Sequence, residues 1–171
     1  QGMVYGITNY LMDTDDLERN ATIVAMARAM MRGDMPAMLQ QMRSYIATLP
    51  YDRITRKEWM AKRKREAFYK MLLYIIFSLL NSKVDTEVRS IIGRADVVIK
   101  TKTDIFVMEL KVDDTVDNAL RQIDSRGYAI PYEADGRRVT KCGVEISSEA
   151  RNIVHWRVTD ADGAVIDERR F

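Results

Sequence analysis

Helical patterning dominates the first third of the chain. Residues 21–29 are rich in alanine and contain neither glycine nor proline, and Gly33 and Asp34 then interrupt the run. A second segment, ending before Pro50, has apolar side chains three and four positions apart, at Met35, Met38, Leu39, Met42, Tyr45, Ile46 and Leu49. We expect the methionines of both segments to fill a hydrophobic core, namely Met26, Met30, Met31, Met35, Met38 and Met42. The pattern predicts a helical N-terminal extension over residues 1–55.

One long helix is predicted over residues 56–80. Residues 67–80 are apolar at 12 of 14 positions, so nearly every side of this part of the helix is apolar. Such a helix is normally buried against a sheet or between layers. We therefore place it inside the main domain, which is predicted to span residues 56–171.

After this helix the pattern changes to extended structure. Apolar and β-branched runs with interspersed polar residues predict strands over residues 84–92, 95–100, 104–112 and 139–146. A helix is predicted between the third and fourth strands, with helical spacing at Val116, Ala119, Leu120 and Ile123. Residues 153–158 and 164–166 predict a terminal hairpin. This order predicts an α/β sandwich in which helices flank a mixed sheet.

The composition excludes several kinds of function. The single cysteine, Cys142, rules out an internal disulfide framework, and the single histidine, His155, rules out a metal site built on two histidines. No phosphate-binding loop of the type Gly-x-x-x-x-Gly-Lys-Ser/Thr is present. No stretch reaches the ~18 apolar residues of a membrane span, and we expect no signal peptide. We therefore expect a soluble cytoplasmic protein without a membrane partner.

Three charged residues fall on one face of the second and third predicted strands. If Lys102 and Thr103 form the turn, Asp96 lies directly opposite Glu109, and Lys111 follows on the face of Glu109. Opposed carboxylates repel, and in an apolar hairpin they need a cation between them. Mg²⁺ fits this need, because it binds one or two carboxylates and also accepts phosphate oxygens. The alternative is a salt-bridge network on a solvated sheet face.

Basic residues cluster before and within the start of the long helix. Residues 53–70 contain eight lysines and arginines and two glutamates, a local charge of +6 in a chain whose net charge is +2. A local cluster of this kind suits contact with nucleic acid. The alternative is a solvated helix face without a partner.

The charged hairpin residues belong to a longer motif. Gly-Arg-Ala-Asp at 93–96 is followed by Glu-Leu-Lys at 109–111, with Glu-Ala-Phe-Tyr before them at 66–69 and Ala-Leu-Arg-Gln-Ile after them at 119–123. In these segments the sequence resembles the PD-(D/E)XK nuclease superfamily, and it departs mildly from the pattern in having Ala95 where proline is usual. The branch it resembles is the bacterial one found C-terminal to an AAA-ATPase-like domain. The resemblance implies a restriction-endonuclease-like αβββαβ core and an ATPase-like domain in the parent protein.

The resemblance also implies a role for each motif residue. Asp96 and Glu109 are expected to bind the metal ion, Glu66 to act as an accessory metal-binding carboxylate, and Lys111 to be the catalytic lysine. Gln122 is expected to orient a ligand or phosphate; for Glu66 and Gln122, ordinary helix positions without a role stay open. The basic residues expected to contact nucleic acid are Lys62, Arg63, Lys64, Arg65 and Arg94.

Together, the residues and the resemblance predict a nuclease that uses Mg²⁺ or Mn²⁺ to hydrolyse phosphodiester bonds of nucleic acid, with DNA as the expected substrate. A second function stays open: a catalytically silent nuclease-like domain that serves an ATPase as an interaction or regulatory module. The complete set of Asp96, Glu109 and Lys111 favours the enzyme. The modest net charge favours the module.

Overall fold

The computed structural model describes residues 17–49, 62–83, 89–91 and 96–171, with the side chains of residues 20–49, 64–81 and 96–171. Three helices come first: α1 (Leu17–Met31), α2 (Met35–Ala47) and α3 (Lys62–Lys83). They are followed by β1 (Arg89–Ile91), β2 (Val97–Lys100), β3 (Asp104–Val112), α4 (Val116–Ser125) and a 3₁₀ helix (Ile130–Tyr132). The last elements are β4 (Arg138–Ser147), β5 (Asn152–Asp160) and β6 (Val165–Arg170). Predictions for residues 1–16, 50–61, 84–88 and 92–95 lie outside the described residues.

The described strands form one mixed sheet in the order β1-β2-β3-β4-β5-β6. β3 and β4 run parallel, and every other neighbouring pair is antiparallel. A parallel pair needs a crossover connection, and α4 supplies it. The predicted α/β fold, with its αβββαβ order and preceding helices, is therefore confirmed.

β6 is longer than the sequence pattern predicts. We expected a strand over residues 164–166, but β6 extends to Arg170 and pairs with β5 throughout. Residues 167–170 are all charged. An outer strand tolerates charged side chains, so its extent does not appear in the alternation of apolar residues.

The β2–β3 hairpin has the predicted register, with Val98 opposite Val107. Its turn is stabilised by Thr101, whose hydroxyl accepts a hydrogen bond from the backbone N–H of Asp104 at 2.9 Å. The backbone N–H of Thr101 also donates to the carbonyl of Asp104 at 2.9 Å. These bonds fix a turn that lacks the Asn-Gly dipeptide usual in tight hairpins.

Different elements cover the two faces of the hairpin. One face joins a large core with α1, α2 and α3, through Val97, Ile99, Phe106, Met108 and Leu110. The other face packs Val98, Ile105 and Val107 against Ile123 of α4. The predicted alternation of side chains along both strands is confirmed.

The first two helices share the large core with the sheet. The prediction that their methionines fill a core is confirmed for the buried Met26, Met30, Met35, Met38 and Met42. It is wrong for Met31, the last residue of α1, which is 49% exposed. Arg43 Nε donates to the carbonyl of Ile153 at 3.1 Å, and Asn152 Nδ2 donates to the carbonyl of Arg43 at 3.1 Å. These bonds tie α2 to β5. The domain boundary at residue 55 lies outside the described residues and stays a prediction.

Helix α3 is buried on one side only. Its buried residues are Phe68, Tyr69, Leu72, Leu73, Ile76, Phe77 and Leu80, but Tyr74 is 55% exposed. The prediction of burial on nearly every side is wrong for this exposed stripe. α3 packs against α1 and the sheet on one side and faces solvent on the other.

Helix α4 approaches β4 closely at Gly143, which is paired with Glu109 of β3. A Cβ atom at Gly143 would lie 3.0 Å from the carbonyl oxygen of Val116 and 3.1 Å from Cγ of Leu120. A larger side chain would therefore push α4 off the sheet.

We predict that Gly143→Val lowers the free energy of unfolding by about 1–3 kcal/mol, because overpacking forces the helix or its side chains to shift. Urea denaturation followed by circular dichroism measures the change. Val165→Ala, on the exposed part of β6, is the control and should change stability by less than about 0.5 kcal/mol. Equal stability of Gly143→Val and the wild type would contradict close packing at this position.

Candidate active site

Two carboxylates face each other where β2 begins. Asp96 immediately precedes β2, so the hairpin register places it opposite Glu109 of β3. The backbone N–H of Leu110 donates to Asp96 Oδ2 at 2.8 Å, and the backbone N–H of Asp96 donates to Glu109 Oε2 at 3.2 Å. Each strand thus holds the carboxylate of the other.

Glu109 lies in an environment that disfavours its charge. The residue is 1% exposed. Burial, followed by the negative charge of Asp96, raises the pKa of Glu109 from 4.5 to about 7, although the Asp96 N–H, Lys111 and Lys70 oppose the shift. A buried carboxylate beside a partly buried one creates a local preference for a cation.

Gln122 connects Glu109 to Lys111. Its Nε2 donates to Glu109 Oε1 at 2.7 Å, and its Oε1 accepts a hydrogen bond from Lys111 Nζ. Gln122 lies on α4 next to Ile123, which is buried against the hairpin. The structure therefore brings Asp96, Glu109, Lys111 and Gln122 together, as expected from the sequence.

Two residues at this site were not predicted. Lys70 of α3 places Nζ 3.4 Å from Asp96 Oδ1, and the hydroxyl of Tyr128 accepts a hydrogen bond from Gln122 Nε2 at 3.3 Å. Lys70 follows Glu66 by one helical turn, so the two residues share one side of α3. That spacing was the signal available in the sequence for Lys70.

Glu66 is not assembled into the expected set of three metal-binding carboxylates. Its side chain is half-buried on α3, and in the described part of the chain three or more metal-binding side chains are nowhere grouped for an ion. Lys70, rather than Glu66, is the α3 residue that contacts Asp96. Within the described residues, the two opposed carboxylates are thus the groups that could hold a metal ion at this site.

The expected nucleic-acid-binding residues have different settings. Lys64 is exposed, whereas Arg65 is half-buried and its Nε lies 3.5 Å from Asp113 Oδ2. The side chains of Lys62 and Arg63, and all of Arg94, lie outside the described residues. Arg65 therefore links the start of α3 to the end of β3.

The donor set at this site fits a divalent ion. Asp96 and Glu109 offer hard carboxylate oxygens, and each oxygen has a second lone pair beyond the hydrogen bond or ion pair it already makes. Mg²⁺ and similar ions bind one or two carboxylates and fill their other positions with water or phosphate oxygens. The preference for a cation and the ligand chemistry agree.

The part of the chain that holds most of α3, the hairpin and α4 matches a known protein family. Residues 64–156, more than half of the chain, match the family model of the PD-(D/E)XK nuclease superfamily. The chain belongs to this superfamily, and its mixed sheet with flanking helices has the restriction-endonuclease-like fold. The matched range contains the four residues that the structure brings together, namely Asp96, Glu109, Lys111 and Gln122.

One curated relative has no assigned function of its own. The "Uncharacterized protein in vnfD 5'region" of Azotobacter chroococcum mcd 1 is 26% identical over 134 residues, which cover 75% of this chain and 25% of the relative. The chain thus spans about a quarter of that protein's length. No solved structure matches. Within the described residues, every helix is too short or too polar to cross a membrane.

We predict that the change in the free energy of unfolding caused by Glu109→Gln is more favourable at pH 8 than at pH 5. The pKa of Glu109 is about 7 in the folded protein against an ordinary 4.5, so the folded state binds the proton more tightly. The stabilisation from this proton is fully present below pH 4.5 and is lost as the pH rises through 7. Glutamine removes the titration and hence this loss.

Urea denaturation at both pH values in EDTA measures the difference. Exposed Glu133→Gln is the matched control and should have the same effect at pH 5 and pH 8. A pH-independent effect of Glu109→Gln would contradict the raised pKa.

Proposed function

We propose that the protein is a metal-dependent nuclease that hydrolyses phosphodiester bonds in nucleic acid, with DNA as its substrate. The observation that carries this proposal is the buried pair of Asp96 and Glu109 with Lys111 joined to it through Gln122. Membership of the PD-(D/E)XK nuclease superfamily supports the same reaction class. The proposed substrate suits the expected cytoplasmic location.

Asp96 and Glu109 are the proposed ligands of Mg²⁺ or Mn²⁺, with Glu66 as an accessory metal-binding carboxylate. The bound ion would supply an activated water and neutralise charge on the phosphate. Glu109 must lose its proton to act as a ligand, and its raised pKa places that loss near pH 7. Ion binding is therefore coupled to proton release.

Lys111 is the proposed catalytic lysine. Its ammonium has three donors, of which one is directed to Gln122 Oε1, so the others are available to the attacking water and the phosphate. Gln122 orients this ammonium because the same amide also donates to Glu109. A fixed positive charge beside the phosphate stabilises the negative charge that develops in the transition state.

The proposed path of the nucleic acid follows the start of α3. Lys62, Arg63, Lys64 and Arg65 open this helix, which also reaches Asp96 through Lys70. Arg94 lies two residues before Asp96 in the sequence. Basic side chains at these positions would neutralise backbone phosphates near the scissile bond.

A silent nuclease-like module attached to an ATPase-like domain is the second candidate. It is favoured by the length of the curated relative. This chain covers a quarter of that protein, so the relative contains further sequence to which such a module could be attached. Metal binding without cleavage would distinguish this function from the nuclease.

We predict that Mg²⁺ or Mn²⁺ raises the melting temperature of the wild type. An ion at a hundredfold its dissociation constant adds about 2.7 kcal/mol of stability, which corresponds to roughly 5–10 °C for a chain of this size. Asp96→Asn should melt higher than the wild type in EDTA, because the repulsion is relieved, and should not respond to the ion. A wild-type melting curve that is unchanged by millimolar Mg²⁺ and Mn²⁺ would contradict the metal site.

We predict that Lys111→Ala reduces cleavage by ~10²–10³, the usual cost of losing one transition-state donor, while ion affinity stays similar or becomes tighter. Plasmid and oligonucleotide cleavage, with calorimetry for the ion, measure the two effects. Lys111→Arg should recover only part of the rate, because guanidinium and ammonium differ in shape and hydration. Cleavage by Lys111→Ala at the wild-type rate would refute the assigned role. A wild type that binds the ion but cuts nothing would favour the silent module.

A further inference from the structure

Lys70 contacts Oδ1 of Asp96, the carboxylate oxygen that does not accept the hydrogen bond from the β3 backbone. Oδ2 is held by the N–H of Leu110 at 2.8 Å, whereas Oδ1 lies 3.4 Å from Lys70 Nζ. The Lys70 side chain is 53% exposed, and that of Asp96 is 12% exposed. A lysine is a point charge on a flexible stem. The contact can therefore be broken by rotation of Lys70 alone, with the buried carboxylate left in place.

The second lysine of the site is held differently. Lys111 donates to Gln122, and the same amide donates to Glu109, so its position depends on the packing of α4. Among the described residues, Lys70 is the cation in direct contact with the carboxylate pair. The two lysines are thus suited to different roles, one fixed and one movable.

A divalent ion on either oxygen of Asp96 would lie within a few ångströms of Lys70 Nζ, which is 3.4 Å from Oδ1. An ammonium and a divalent ion cannot share this carboxylate closely, because like charges a few ångströms apart repel strongly in a partly buried site. Ion binding and the Lys70 contact are therefore expected to compete. Lys70 would then be released beside the ion, where a bound phosphate offers negative oxygens.

We propose that Lys70 is an exchangeable cation, which neutralises Asp96, gives way to the divalent ion and then contacts a phosphate of the nucleic acid. This inference rests on the proposed nuclease function. It assigns Lys70 one role in setting ion affinity and another in binding substrate. Both roles follow from its exposed stem and its position on the helix that carries the basic cluster.

The first test measures Mn²⁺ affinity by calorimetry. Lys70→Met removes the charge but keeps the apolar stem, and we expect it to bind Mn²⁺ at least about fivefold more tightly, as for competing ligands with ordinary coupling. Lys70→Arg keeps the charge and should bind Mn²⁺ within twofold of the wild type. Lys102→Met, in the distant hairpin turn, controls for the change in net charge. Equal affinity of Lys70→Met and Lys102→Met would overturn the competition.

The second test asks where Lys70 goes. In the cleavage-deficient Lys111→Ala protein, binding of a short DNA duplex is measured over a range of salt concentrations, with and without Mn²⁺. Addition of Lys70→Met should reduce the slope of log affinity against log salt by about 0.9, one phosphate contact, with Mn²⁺ present. Without Mn²⁺ the slope should not change. A slope that is unaffected in both conditions would overturn the contact with phosphate.

Measurements of Mn²⁺ binding can refute the metal site and the Lys70 exchange separately. If the wild type and Lys70→Met both show no Mn²⁺ binding, the metal site and the exchange are overturned together. If the wild type binds Mn²⁺ and Lys70→Met binds it equally or more weakly, only the exchange is overturned. The Lys70 side chain is half-exposed, so we expect its replacement to leave the fold intact. Melting curves of the variants in EDTA should confirm that each is folded.

Discussion

Placing two carboxylates side by side in a buried hairpin is unfavourable, and the site is built from the groups that offset this cost. The backbone N–H groups of Leu110 and Asp96, the amide of Gln122 and the ammonium of Lys70 each satisfy one carboxylate oxygen. These groups come from the hairpin, α4 and α3. The arrangement of helices around the sheet is thus also the arrangement that makes the carboxylate pair tolerable.

This cost bears on the choice between an enzyme and a silent module. Replacing buried charged groups by apolar side chains is often neutral or stabilising, so their presence is weak evidence for a structural role. Here burial, followed by the negative charge of Asp96, raises the pKa of Glu109 to about 7, which makes folding less favourable at neutral pH. A site that reduces stability while retaining all its polar partners supports a functional role over a purely structural one.

The sequence predicted the part of the site that depends on local geometry. Strand alternation placed the charged residues on one face, but the register depended on an assumed turn at Lys102 and Thr103. The structure has that register, with Val98 opposite Val107. Gln122 was found through the family resemblance. Its contacts depend on the packing of α4, whose Ile123 is buried against the hairpin. Lys70 was missed because its role depends on the rotation of α3 against the sheet. Glu66 lies one turn earlier on the same side of α3, and within the described residues it does not complete a set of three carboxylates.

The separations between contacting residues also imply an order of assembly. The bond between Asp96 and Glu109 spans 13 residues, as does that between Gln122 and Glu109, whereas the bond from Arg43 to Ile153 spans 110 residues. Local contacts close faster than distant ones. The carboxylate pair and its amide partner can therefore form early within one continuous stretch of chain. We expect the N-terminal helices to dock later, because their hydrogen bonds to β5 join residues 109 and 110 positions apart.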